Sequence, residues 1–489
     1  MPPNLTAQIK HIHNVRLPGQ PSTWNITISY PTSSGTITSV TPHEEQEQDT
    51  KLTQTQTTNS ESEATSKSES ESQPPLALPP LTHPHIHLDK AFIHSTPNYA
   101  PFLPKTGTFK EALNNTTKAK EQFTQSDLLK RGTWLLAESF ASGVTAMRAF
   151  VEVDHTVQHT CLDAAIELKE EWKTAIEIQI VCFAQDPIFS TQHGEENMSL
   201  ITEALEKYPQ TDVLGTTPYV ETSLESAKRN IEWAIDCAMR LGKHLDFHLD
   251  YNLDGGKEAL VWFVLSALKE RGWTAASTRK RVMLGHCSRL TLFSEDEWIA
   301  LAREIRENDL PVSFVGLPTS DLYMAAPPVG GKETAPQSRP RGTLQILDMI
   351  RKYGLDAVMG VNNVGNSFTP WGLPDPLALA CLGVGVYQAG SQDDAELLFE
   401  CVSTRARAAI GLDCSDFDSG LCIREGSMAD LLLVCCRDET GCGIVRPRTN
   451  AAEVVWTPPE KVNRDVVCSG RLKMSPFGSS ESEDLYRFV

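Results

Sequence analysis

The chain has 489 residues, 40% hydrophobic and 22% charged, with a formal net charge of −19. That length supports a large buried core, and the acidic balance argues against nucleic acid or an anionic membrane surface as a partner. No apolar stretch approaches a membrane span, no basic and apolar leader opens the chain, and the 12 cysteines follow no framework spacing, so a soluble protein in a reducing, cytoplasmic setting is expected.

In chain order, 5–30 alternates in strand fashion. From about 31 to 75 the composition turns to Ser, Thr, Glu and Gln, with too little apolar surface to offset its ordering entropy, which predicts a disordered insert in an N-terminal β element. Two Pro-Pro pairs then lead into Thr82-His83-Pro84-His85-Ile86-His87-Leu88-Asp89-Lys90. Alternate side chains of a strand share a face, so His85 and His87 point the same way, and His83 shares their period. Two imidazoles on one face can grip a divalent ion, and a catalytic metal site draws further ligands from distant strands.

Beyond Lys90 short apolar runs alternate with amphipathic ones, the pattern of a parallel sheet covered by helices. Strands are expected at 144–153, 177–183, 213–217, 244–249, 282–285, 311–314 and 357–361, with helices at 125–142, 156–175, 224–241, 257–271, 294–308 and 343–353. With the histidine strand this makes eight, the number that closes a parallel barrel. A helical stretch runs from 376 to 411, and 426–434 and 466–472 read as strands again. The expected architecture is α/β: a (β/α)8 TIM-like barrel over 81–411, with a small β-sandwich domain formed from both chain ends, 1–80 and 412–489.

Barrel enzymes carry their chemistry at the carboxyl ends of the strands. His248 ends His244-Leu245-Asp246-Phe247-His248, His286 ends Met283-Leu284-Gly285-His286, and Gln185 ends Val181-Cys182-Phe183-Ala184-Gln185. Four histidines over three strand ends favour a metal site over isolated packing roles. The Gln185 amide could read a carbonyl-amidine edge of a heterocycle.

With these residues the chain resembles the amidohydrolase superfamily, most closely its cytosine deaminase-like branch. Pro84-His85-Ile86-His87-Leu88-Asp89-Lys90 looks like that branch's first-strand metal motif, and the likeness extends through Gly107-Thr108-Phe109, 178–185 and Gly426-Ser427-Met428-Ala429-Asp430-Leu431. The resemblance implies a distorted barrel with a small β-sandwich, one divalent metal ion (zinc or iron), and hydrolysis of carbon-nitrogen bonds in small cyclic amides or amidines. It implies metal ligation by His85, His87 and His248, and a water-orienting role for His286.

Two positions depart from the family pattern. Tyr251 stands where the family has a proton-shuttling glutamate, and Asn362 stands where it has an aspartate that ligates metal and takes a proton from water. An amide oxygen can coordinate a cation but cannot accept a proton near neutral pH, and general-base help is commonly worth ~10²–10⁴-fold in rate. The expected catalytic set is therefore His286, Tyr251 and Asn362, with Asn362 as fourth metal ligand. Glu221, Asp250, Asp254 and Asp321 are available as displaced carboxylates. Substrate contacts are expected from Gln185, Trp371 and Asp321, with Trp371 stacking on a planar ring. Glu152 and Asp154 could line the site or pair with Arg148, Lys90 is expected to hold a carboxylate such as Asp89, and homo-oligomerisation stays open. The alternative is a catalytically weakened relative that binds metal and a small ligand.

Overall fold

A computed structural model describes residues 3, 5, 7–44, 73–325, 341–412, 420–473 and 485–489. The chain opens with an antiparallel meander of β1 (Ile9–Arg16), β2 (Thr23–Ser29) and β3 (Thr36–Pro42), followed by the short β4 (Leu76–Leu78). β3 corrects the expectation of disorder from about 31. Averaged composition hid a local alternation in which Ile37 pairs with Ile28 and Val40 with Ile26, enough β-branched contact to extend the sheet. The rest of that expected insert, 45–72, lies outside the described residues.

Eight parallel strands follow in strict sequence order: β5 (Leu81–His87), β6 (Val144–Glu152), β7 (Glu177–Ala184), β8 (Thr211–Thr216), β9 (His244–Leu249), β10 (Val282–His286), β11 (Val312–Gly316) and β12 (Ala357–Met359). Helices between them turn an apolar stripe inward, as in Leu224–Leu241, capped by Ser223, and Glu295–Glu307, opened by a Ser294–Glu297 capping box. Strands buried on both faces read as continuous apolar runs, which is why β6 and β10 were legible as barrel strands.

The ring closes between the segment after β12 and β5. Asn362 donates its backbone N–H to the His85 carbonyl at 3.1 Å, and its own carbonyl accepts the His87 N–H at 2.8 Å. The bonds that shut the barrel thus set Asn362 beside both histidines. Two small positions leave space inside: a Cβ on Gly360 would meet His85 Cβ at 3.2 Å, and one on Gly285 would meet His85 Cε1 at 3.4 Å.

β13 (Leu431–Val434), β14 (Arg464–Cys468), β15 (Arg471–Lys473) and β16 (Tyr486–Phe488) complete the other sheet, in the order β15-β14-β13-β4-β1-β2-β3, with β16 on β1. It is a domain built from both chain ends. Its period of two divides its duties: Leu431 and Leu433 enter its own core with Ile9, Ile26 and Tyr486, while Leu432 and Val434 join the barrel's core. Among the described residues no helix is long and apolar enough to cross a membrane.

Candidate active site at the carboxyl end of the barrel

His85 and His87 leave β5 on one face, as the alternation requires, and His248 arrives from the end of β9. Both β5 rings bring Nε2 to 3.2 Å from His248 Nε2. All three side chains are buried, and burial, the largest cause, pushes their pKa values well below the usual imidazole range. Three neutral imidazoles with converging nitrogens form a donor set suited to a divalent ion. Behind His85, Asp246 Oδ1 lies 3.8 Å from Nδ1, in place for outer support of a ligating ring. His83 shares the period but not the site: β5 shifts register against β6 between His83 and Ile86, and His83 Nε2 instead meets Ser139 Oγ at 3.1 Å.

Asn362 completes the ring of polar atoms. Its backbone is left-handed (φ 67°), a conformation asparagine tolerates, and its Nδ2 donates to Ser320 Oγ at 2.8 Å. The remaining atom, Oδ1, is buried and has no partner. A buried unpartnered amide oxygen next to three imidazoles is the atom a cation would satisfy.

His286 ends β10, also left-handed at φ 65°. Its Nδ1 is 2.8 Å from Asp321 Oδ1, and Asp321 Oδ2 accepts from Thr343 Oγ1 at 2.7 Å and from the Leu317 N–H at 3.3 Å. Asp321 is fully buried behind His286 and does not line the cavity, so the expectation that it touches substrate directly is corrected: the turn Leu317-Pro318 starts the helix Pro318–Met324 and carries its carboxylate to the back of the imidazole. Tyr251 stacks on the His286 ring at 3.9 Å between centroids and donates its hydroxyl to the Ser320 carbonyl at 3.2 Å. Burial raises its pKa well above the ordinary phenol value.

The cavity over these groups is lined by His87, Lys90, Gln185, Tyr219, His248, Tyr251, His286, Ser320, Asn362, Asn363 and Phe368, with a free volume of ≈ 20 Å³. As the side chains stand, that holds about one water-sized group. Phe109 packs against Tyr219, Tyr251 and Phe368 at the rim. Trp371, expected to stack on a ring, stands 44% exposed and outside the lining. The reason is local: the Asn366 side chain accepts from the Phe368 and Thr369 N–H groups, folding Phe368 inward, and the chain then turns outward through Gly372 at φ 91°.

No carboxylate lines this cavity among the described residues. Glu221 holds the Ile188 and Phe189 N–H groups and Asn230, Asp250 caps the helix Val261–Glu270 through the Leu260 and Val261 N–H groups, and Asp254 accepts from the Gly256 N–H. Of the four candidate carboxylates, Asp321 alone uses its side chain to bond a residue of the cavity wall, His286. Arg148 pairs with Asp246 rather than with Glu152 or Asp154. Glu152 instead bridges Lys90 and Lys120 at 2.7 Å each, and although burial opposes it, the two ammonium groups hold its pKa down at about 2. Lys90 was expected to serve a structural carboxylate. It does so, with Glu152 in place of Asp89, and it also reaches the cavity wall, where its Nζ donates to Gln185 Oε1 at 3.0 Å. A second cluster, Asp154, His155 and Asp186, already contains the Lys120 ammonium, at 2.6 Å from Asp154 and 3.0 Å from Asp186. Tyr219, Ser320, Asn363 and Phe368 were missed because none carries a motif; their positions follow from loop folding.

No family model matches the chain. A curated relative, the N-isopropylammelide isopropyl amidohydrolase of Pseudomonas sp. (strain ADP), is 25% identical over 168 residues, which spans 34% of this chain and 39% of that protein. Among solved structures, the 5-methylcytosine deaminase of Klebsiella pneumoniae superposes with a TM-score of 0.72 at 21% identity, covering 96% of this chain and 98% of that one. The N-isopropylammelide isopropylaminohydrolase of Burkholderia multivorans gives 0.65 at 23% identity, covering 94% and 97%. Barrel and terminal sheet together are therefore the fold of these deaminases and amidohydrolases.

Proposed function

We propose that this chain is a metal-dependent hydrolase of the amidohydrolase superfamily that cleaves a carbon-nitrogen, non-peptide bond in a small cyclic amide or amidine, in the manner of a deaminase. The observation that carries the reading is the convergence of three buried, neutral imidazoles, with His85 and His87 Nε2 each 3.2 Å from His248 Nε2, beside a cavity that Asn362 also lines. The shared fold of named deaminases and amidohydrolases supports it. The free cysteines suit a reducing cytoplasm.

His85, His87, His248 and Asn362 would hold one zinc or iron ion. Such an ion, when bound, lowers the pKa of water and polarises the bond to be cleaved. The chain's own residues handle orientation and protons. Asp321 accepts the Nδ1 hydrogen of His286, which leaves Nε2 free on the cavity side to take a proton from water and return it to the leaving nitrogen. With no carboxylate on the cavity wall among the described residues, this His286–Asp321 pair takes over the proton transfer that Tyr251 and Asn362 cannot perform. Tyr251 fixes the imidazole plane by stacking, and Phe368 and Tyr219 enclose the ring and exclude water.

The same missing carboxylates favour a second reading, a binding protein with a weakened active site. Two measurements separate the possibilities. Purified protein should carry about one equivalent of zinc or iron per chain, and His85→Ala with His87→Ala should abolish it; retained metal removes the site. Metal-loaded protein should release ammonia or an amine from a member of a panel of pyrimidines, pterins, triazines and lactams, and silence across that panel leaves only the binding reading.

A further inference from the structure

Two amides on the cavity wall, Gln185 and Asn363, have their oxygens occupied from behind. Gln185 Oε1 accepts from the Lys90 ammonium at 3.0 Å, and an ammonium can only donate. Asn363 Oδ1 accepts from Asn366 Nδ2 at 2.8 Å. Backbone fixes the orientation of Asn366 in turn: its oxygen takes the Phe368 and Thr369 N–H groups at 3.0 and 3.1 Å, and its nitrogen donates to the Lys90 carbonyl at 3.1 Å. Flipping either amide would set donor against donor, so each is left with its NH₂ free for the cavity. Lys90 shares that wall, with Gln185 and Glu152 using two of its three hydrogens.

We propose that Lys90, Gln185 and Asn363 form a donor-only recognition edge. The substrate is accordingly a ring whose side away from the reacting carbon carries acceptors alone: oxo groups and unprotonated ring nitrogens, with no amino groups. This rests on the cavity being the substrate site of the reading above. It also revises the carbonyl-amidine edge expected for Gln185, since the NH of an amidine needs an acceptor and the Gln185 oxygen is spent on Lys90. The Glu152 carboxylate offsets the Lys90 charge, so the wall selects by hydrogen-bond polarity and does not demand an anion.

The test is titration calorimetry of metal-loaded protein with two triazines of equal size, the cyanurate monoanion, whose one deprotonated ring nitrogen lies between two oxo groups, and the triamino ring melamine. A donor facing a donor across several contacts should leave cyanurate bound about a hundredfold more tightly. Asn363→Asp and Gln185→Glu each replace a cavity-facing NH₂ with an oxygen, and each should move the preference toward melamine by about tenfold, with metal content as the check on folding. Melamine binding as tightly as cyanurate, neither ring binding at millimolar concentration, or a preference unmoved in both variants overturns the proposal. Ammonia release followed in parallel keeps the two readings distinct. Selective binding of cyanurate by a protein that turns over no ring removes the hydrolase and leaves the edge, whereas turnover confined to rings with amino groups on the far side removes the edge and leaves the hydrolase.

Discussion

Asp321→Asn isolates the His286 pair from everything else in the site. Asp321 only accepts, so in a neutral His286 the hydrogen between them must sit on Nδ1, and Nε2 is the free base. In the variant, Thr343 Oγ1 and the Leu317 N–H still require an acceptor and would hold the amide oxygen in the place of Oδ2. The new NH₂ then faces Nδ1, the ring hydrogen is driven to Nε2, and the base becomes a donor. The imidazolium formed during turnover also loses its carboxylate. A unit charge pair at 4 Å is worth about 4 kcal/mol at an effective dielectric of about 20, and if the amide dipole recovers half of that, the barrier rises by roughly 2 kcal/mol before the tautomer is counted. Turnover should fall by about 10²- to 10⁴-fold, with fold and metal content intact. Release of ammonia or amine gives the rate, and ¹⁵N shifts of the imidazole give the tautomer directly. A fully metallated variant within about threefold of the parent rate, or a parent in which His286 carries its hydrogen on Nε2, would refute the reasoning.

Lys120→Met should cost about 3–5 kcal/mol in denaturant unfolding, because Glu152 and Asp154 would be left buried without their shared cation; a loss under about 1 kcal/mol would mean that water or Lys90 already balances them. His83 is buried, and burial lowers its pKa from 6.5 to about 4, so the unfolded chain binds the extra proton between those values. The stability it supports is complete above pH 6.5 and declines as pH falls toward about 4, by up to about 3 kcal/mol; His83→Gln should flatten that acid limb, and an unchanged limb would place the titration elsewhere. Tyr251→Glu combined with Asn362→Asp should bind metal more tightly and release ammonia from cytosine where the parent does not. If cytosine stays intact in a well-folded double variant, something other than the two missing carboxylates blocks that reaction.

The barrel was legible because its strands are uniformly apolar and its helices striped, and the histidine cluster because a strand's alternation and two strand ends are local properties of sequence. His286 could be placed for the same reason. Asp321 could be named but not positioned, since its role depends on how one turn after β11 is folded. Trp371 was misplaced and Phe368 overlooked for a single cause: the Asn366 side chain reverses the loop, and nothing in the spacing of three residues tells which aromatic faces in. Lys90 sat inside the motif itself, yet its partner proved to be Glu152, 62 positions later by sequence number, reached through the pairing of β5 with β6.

The sheet made from both ends has a consequence in time. β1 finds β16 as a neighbour, β4 finds β13, and Tyr30 donates its hydroxyl to the Gly470 carbonyl, 440 residues away. At about 5–20 residues per second of synthesis, the opening meander waits on the order of half a minute to a minute and a half for the strands that cover it. During that interval the β1 edge and the apolar face of Ile9, Ile12 and Ile26 are on offer to any passing strand. Nascent chains stalled within the barrel should therefore be the form of this protein most dependent on chaperones, and the one most prone to aggregate.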